Sequence, residues 1–357
     1  MPARNESLRE ECCASVVSDE LARNLPAELD ERFSVVRLIG DGNTAFVYEV
    51  IDRCSQEHSA LKVIARDSAV GKVALIESEL SIMKSIGHPY IVQMLNSWTI
   101  DGAYYLSLEL VEGGDLFEHL YAVRRLSEQQ AARLTKCLVQ ALTYLHDNSI
   151  VHRDVKPENL LLYTGPHGEF ELKLADFGLA TELPEDGGKL TVICGTPTYV
   201  ASEVILETGY DEKVDVWATG VILYVMLCGF PPFQSSDGSQ DDLFAQIMRG
   251  RVTFPSPAWD EISFSAKALI LLLVNVNKEE RFSAQDVLDN QWIKTLSDVS
   301  SDFEAMAEFI VESRVDADVD VEETDREYYV SRRTSMDELS ESGRAESYEF
   351  TFSRNYS

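Results

Sequence analysis

The hydrophobic pattern of the chain changes period at Gly113-Gly114, and this limits the folds open to it more than any other feature. Before that point, short runs rich in β-branched and aromatic residues read as strands: Phe33–Ile39, Ala45–Ile51, Ser59–Ile64, Ile91–Thr99 and Tyr104–Leu108. One helical stretch interrupts them over Lys72–Ser85, where Val73, Ile76, Leu80 and Met83 recur at helical spacing. After the two glycines the pattern is mainly helical, over Asp115–Val123, Ser127–Asn148, Lys213–Cys228, Gln240–Arg249, Ser263–Val274 and Ser283–Asn290. The expectation is an α+β chain in two lobes: a small β-rich lobe over 33–108, a hinge over 109–114 and a larger helical lobe over 115–293.

The flanks differ in composition. Residues 1–32 are polar with little apolar periodicity and read as a flexible leader. Residues 294–357 read as an acidic, largely disordered tail, since 297–357 hold 17 acidic and 6 basic side chains. The whole chain carries a formal net charge of −30, which argues against wrapping nucleic acid. Its longest apolar stretches, around Val221–Cys228 and Leu269–Val274, fall far short of the roughly 20 residues of a membrane span. The opening residues show no secretion pattern, and Pro2 stands where a myristoylated chain needs glycine. The cysteines Cys12, Cys13, Cys54, Cys137, Cys194 and Cys228 lack CxxC spacing, so reduced thiols in the cytoplasm or nucleus are expected.

Between the first two strands lies Ile39-Gly40-Asp41-Gly42-Asn43-Thr44-Ala45-Phe46-Val47. Glycines in such a turn let backbone amides approach phosphate oxygens, although a glycine-rich hairpin alone is commonly just a turn. Ala60-Leu61-Lys62 on the next strand places an ammonium where it could reach phosphates, and Glu79 on the helix is a candidate partner for it. The ordered set Val151-His152-Arg153-Asp154-Val155-Lys156-Pro157-Glu158-Asn159 and Asp176-Phe177-Gly178 carries the strongest signal. Phosphoryl transfer needs an aligned acceptor hydroxyl, cations over the equatorial oxygens and ligands for those cations. Asp154 can orient the hydroxyl and accept its proton, Lys156 can balance charge, and Asn159 and Asp176 offer the hard oxygens that Mg²⁺ prefers.

With these motifs in this order, the chain resembles the protein kinase superfamily over about residues 33–293. The resemblance implies ATP and Mg²⁺, with Asp154 as catalytic base, Lys62 paired to Glu79, and Asn159 and Asp176 on the metal. It puts the adenine between Ile39, Val47 and Ala60 on one side and Leu161 on the other, with Gly40 and Gly42 over the phosphates. Hinge hydrogen bonds would come from the backbone of Glu109 and Val111, with Leu108 as gatekeeper. Lys156 and Gly195-Thr196-Pro197-Thr198-Tyr199 resemble the serine/threonine class. The wording Cys194–Ala201, Glu207-Thr208-Gly209-Tyr210 and Phe254-Pro255-Ser256-Pro257 is similar to the calcium/calmodulin-dependent group, and most like doublecortin-like kinase catalytic domains. The leader has no room for doublecortin repeats, so tubulin binding is not carried over. Two positions depart from the pattern: Ala45 replaces the third glycine, and Ser202 replaces proline before Glu203, whose expected buried partner is Arg281. A pseudokinase scaffold is the alternative that these departures leave.

Asp115 and Glu158 match positions that, in basophilic kinases, meet the ATP ribose or an arginine upstream of the acceptor. With the net charge they imply basic protein or peptide substrates. A phosphate on the activation segment could dock on Arg153, Thr191 being the candidate site, and Thr196 reads as a structural hydroxyl near Asp154 and Lys156. Arg332-Arg333-Thr334-Ser335 makes Ser335 a candidate acceptor. The tail shows no basic amphipathic helix, so calmodulin is not expected as a partner, and the chain is expected to act as a monomer.

Overall fold

A computed structural model of the protein describes residues 25–41, 45–69, 71–165, 168–184 and 186–297. They fall into two units, 25–87 with 92–110 and 88–91 with 111–297.

The first unit opens with α1 (Ala27–Arg32) and holds an antiparallel sheet of five strands in the order β1-β2-β3-β5-β4. These are β1 (Phe33–Asp41), β2 (Phe46–Asp52), β3 (His58–Ile64), β4 (Met94–Ile100) and β5 (Ala103–Glu109), with α2 (Val73–Ser85) between β3 and β4. The period of two sorts Tyr48, Val50, Leu61 and Val63 onto one face and Val47, Ala60 and Lys62 onto the other. The first set forms a core with Leu29, Phe33 and Tyr105. Leu29, on α1, is 0% exposed. The flexible leader expected over 1–32 is therefore corrected for its last part: Ala27–Arg32 is helical because Leu29 has a place in the core, a burial that contributes about 1.5–3 kcal/mol. A short segment with one anchoring leucine has too little periodicity to show this in sequence.

The second unit contains α3 (Leu116–Val123), α4 (Glu128–Asp147), the short pair β6 (Ile150–Val151) with β9 (Thr181–Glu182), and the hairpin β7 (Leu160–Thr164) with β8 (Phe170–Leu174). The helices α5 (Ser202–Ile205), α6 (Lys213–Cys228), α7 (Gln240–Arg249), α8 (Phe264–Leu273), α9 (Ala284–Asp289) and α10 (Gln291–Ser297) follow. Their starts are written in the sequence: Ser127 and Ser283 form capping boxes with Gln130 and Asp286, and Ser239 and Ser263 accept from the N–H groups of Asp242 and Ala266. Every residue from Val214 to Leu227 on α6 is buried, so this helix is the axis of the unit. Gly220 lets α8 come close, since a Cβ there would lie 2.6 Å from that of Leu273.

On α10, Trp292 and Ile293 are buried and the Trp292 indole N–H donates to Glu128 Oε2 at 2.7 Å. The tail expected from 294 is thus corrected for its first residues, since Lys294–Ser297 belong to α10. Ser335, the rest of the tail, residues 1–24 and Gly42 lie outside the described residues. Among the described residues no helix is long and apolar enough to cross a membrane, and Cys54, Cys137, Cys194 and Cys228 are free thiols.

Candidate active site

In the first unit, the sheet brings several of the expected residues onto one face. Gly40 pairs with Val47, Val47 with Lys62, and Ala60 with Leu108 across neighbouring strands. Lys62 Nζ lies 2.6 Å from Glu79 Oε1, joining β3 to α2. Both side chains are largely sheltered, at 16% and 6% exposure, so this pair is stronger than a surface contact. Ile39 sits on β1, and Glu109 ends β5 with its N–H donating to the Gln93 carbonyl at 2.9 Å.

In the second unit, Val111 opens the chain that leads to α3. The Gly113 N–H donates to the Leu162 carbonyl at 3.0 Å, an approach that excludes any side chain, because a Cβ would lie 2.2 Å from that oxygen. Asp115 caps α3 by accepting from the Glu118 N–H and bridges to Leu161 on β7. Burial pushes the Asp115 carboxyl up to about 6, helped by the charges of Glu118 and Glu158 and resisted by the capping hydrogen bond.

The loop after β6 is mounted on α6. Asp215 Oδ2 accepts from the His152 N–H and Oδ1 from the Arg153 N–H, each at 2.9 Å. His146 Nε2 lies 3.0 Å from the same Oδ2. Burial alone would raise the Asp215 carboxyl, but the hydrogen bond and charge of His146 and the hydrogen bond from the His152 N–H outweigh it and hold it below the usual range. His152 Nδ1 accepts from the Asp154 N–H at 3.3 Å, so its Nε2 carries the proton and donates to the Ala175 carbonyl at 3.1 Å. Arg153 and Asp176 both have positive φ, 67° and 60°, a strained conformation for non-glycine residues that the surrounding hydrogen bonds must hold.

Asp154 stands at the centre. Its Oδ1 accepts from the Thr196 hydroxyl at 2.8 Å, and its Oδ2 lies 2.8 Å from Lys156 Nζ. Asn159 Nδ2 donates to the Asp154 carbonyl at 2.9 Å and to Oδ2 at 3.3 Å, and Lys156 also donates to Thr196 Oγ1 at 3.2 Å. Burial pulls Lys156 down, but the charges of Asp154, Glu158 and Asp176 prevail and its ammonium is held above the usual range. The Ala175 N–H donates to the Asn159 carbonyl at 2.8 Å, so Asp176 follows directly on a backbone bonded to that of Asn159.

The peptide after this loop is secured by Glu203 and Arg281. The guanidinium donates from its two terminal nitrogens to Oε1 and Oε2 at 2.6 and 2.9 Å. The replacement of proline by Ser202 leaves this contact whole. Thr196 is where the sequence put it. Motif reading passed over two residues that hold Arg153: Asp215, on its backbone N–H, and Tyr210, whose hydroxyl accepts from its guanidinium. A signal for Asp215 was present, since an ionisable side chain in an otherwise apolar helix must have partners.

This arrangement, a β-rich unit with a Lys–Glu pair and a helical unit with a braced carboxylate beside hard oxygens, defines a protein kinase. The protein kinase domain family matches residues 33–293, and the chain belongs to that family. It is 55% identical over 347 residues to the serine/threonine-protein kinase zyg-8 of Caenorhabditis elegans, which covers 97% of this chain and 43% of that protein. It is 48% identical over 269 residues to the serine/threonine-protein kinase DCLK1 of Rattus norvegicus, over 75% of this chain and 61% of the relative. With human DCLK2 the figures are 47% over 263 residues, 74% of this chain and 34% of the relative. The catalytic region is thus of the serine/threonine, doublecortin-like kind, and the chain spans less than two thirds of the length of these relatives.

Proposed function

We propose that this chain transfers the γ-phosphoryl group of ATP to serine or threonine hydroxyls of protein substrates. The observation that carries this reading is the bracing of Asp154 by Thr196, Lys156 and Asn159. A carboxylate has about four lone-pair positions, so one so held keeps acceptor capacity for an incoming alcohol while its direction stays set. It orients the hydroxyl and takes its proton. Lys156, kept cationic by its neighbours, balances charge on the group in transit.

Asn159 and Asp176 suit Mg²⁺. The Asn159 amide nitrogen is engaged by Asp154, which turns its oxygen to the other side, and a carboxylate with an amide oxygen is a hard donor set. When bound, the metal supplies neutralisation of phosphate charge. In the first unit Lys62, held by Glu79, serves the α- and β-phosphates. Phosphate transfer to a library of basic peptides tests the reading: Asp154→Asn should lower kcat by about 10²–10⁴-fold with little change in thermal stability. Transfer undiminished in that variant would overturn it.

Asp115 and Glu158, with the net charge of −30, support a preference for arginine-containing substrates. The Asp115 carboxyl is raised to about 6, so it gains its charge, and its pull on a cation, as pH rises through that value. KM for an arginine peptide should therefore fall several-fold, roughly the scale of one screened charge contact, between pH 5 and 7. Asp115→Asn should flatten that profile while leaving a neutral control peptide unaffected.

A further inference from the structure

The segment between β9 and α5 is fastened at one point that catalysis as described above does not use. Leu190 and Tyr210 exchange both backbone hydrogen bonds at 2.9 Å. The Tyr210 hydroxyl donates to the Val192 carbonyl at 2.5 Å and accepts from Arg153 at 3.2 Å. Arg153 Nε in turn donates to the Leu179 carbonyl at 2.6 Å. Tyr210 is 2% exposed, and Cys194 Sγ lies 3.9 Å from its hydroxyl.

The Tyr210 phenol and the Arg153 guanidinium it holds therefore join four stretches of the second unit: the loop bearing Asp154, the turn after Asp176-Phe177-Gly178, which Arg153 reaches, the piece at Leu190–Val192 and the connection from α5 to α6. A phosphate on this segment would act by drawing the Arg153 guanidinium to it. Here the guanidinium is already drawn, and by a neutral group built into the chain. Val192, whose carbonyl is held, has no hydroxyl to phosphorylate, while Thr191 beside it is exposed.

We propose that Tyr210 is a positioning residue that takes the place of an activation-segment phosphate, coupling Arg153 to the Leu190–Val192 stretch so that the peptide-docking segment is set without modification. The inference rests on the kinase reading for its activity readout and on geometry alone for its structural one.

The experiment uses the full chain, stripped of phosphate by a protein phosphatase and checked by mass spectrometry, with a basic peptide as acceptor. Stripped wild type and Thr191→Ala should keep kcat/KM within about twofold of the untreated protein. Tyr210→Phe keeps the buried ring and removes the one hydroxyl; kcat/KM should fall about tenfold, the scale of a hydrogen bond to a charged group, chiefly through a higher peptide KM. Amide exchange over 190–196 should speed up by a similar factor, while 213–228 stays protected and so reports an intact fold. A role confined to ring packing would move neither readout. Loss of most wild-type activity on phosphate removal would overturn the proposal, as would a Tyr210→Phe protein that matches wild type in exchange and KM. If wild type transfers nothing in either state, the kinase reading fails, and the exchange comparison alone decides what Tyr210 does.

Discussion

The two units use the same pairing of charges, a glutamate with a basic side chain, in opposite ways. In the first unit Lys62 meets Glu79 at one point, 2.6 Å, between a strand and a helix, with Lys62 16% exposed. In the second, Arg281 is 0% exposed at its side chain and grips Glu203 with a two-pronged fork. Arg281 also donates to the carbonyls of Asn275 and Lys213 and lies 5.0 Å from the centre of the Trp217 ring. An ammonium is a compact charge that can trade one anionic partner for another, whereas a planar guanidinium with several fixed acceptors cannot be re-aimed. The first contact is suited to sharing its cation with a phosphate, the second to holding a peptide loop in one place.

Removing one side of the fixed pair should have the largest effect. Arg281→Met leaves the Glu203 carboxylate buried without its partner, and denaturant unfolding should show a loss of about 3–5 kcal/mol. A smaller loss would mean that Glu203 finds water, and that the two pairs differ less than their geometry says. Next comes Glu79→Gln. It should cost only about 1 kcal/mol in the same unfolding measurement, since the amide oxygen of the introduced glutamine can still accept from the Lys62 ammonium and that ammonium keeps some access to water, yet lower kcat/KM for ATP by about tenfold as Lys62 loses its aim. Equal losses of stability in the two variants would erase the contrast. The smallest effect is expected at Ser202, the first residue of α5, where the preceding Ala201 has φ −73° and ψ 152°. That backbone suits a following proline, and the first helical position has no intrahelical use for its N–H. Ser202→Pro should therefore stabilise the protein by about 0.5 kcal/mol, read as a small rise in Tm, with activity unchanged.

Much of this architecture is legible in the amino-acid sequence. The expected helices Lys213–Cys228 and Gln240–Arg249 coincide with α6 and α7, because a serine or a glycine marks where the periodicity stops: Gly229 and Gly250 close the two helices in the left-handed region. Thr196 was placed beside Asp154 and Lys156, and the structure puts its hydroxyl on Asp154. The β7–β8 hairpin was not legible. Its strands are five residues each, and they follow a loop whose polar residues mask the alternation. Nor was the helix at Ala27–Arg32, which depends on one leucine finding a core assembled from residues far along the chain. Tyr210 was visible only as part of a family wording. Its partners, Arg153 and Val192, lie 57 and 18 positions away, and no local period reports contacts of that kind.

Asp215 has a consequence beyond the hydrogen bonds it makes. It projects from a helix with almost no wet side, and the two amides it holds immediately precede Asp154. The reference point for the Asp154 carboxylate is therefore interior rather than peripheral. Loops on the outside can lengthen, change sign or acquire new recognition without recalibrating where the chemistry happens, whereas a change of one methylene along that interior rod displaces the reference itself.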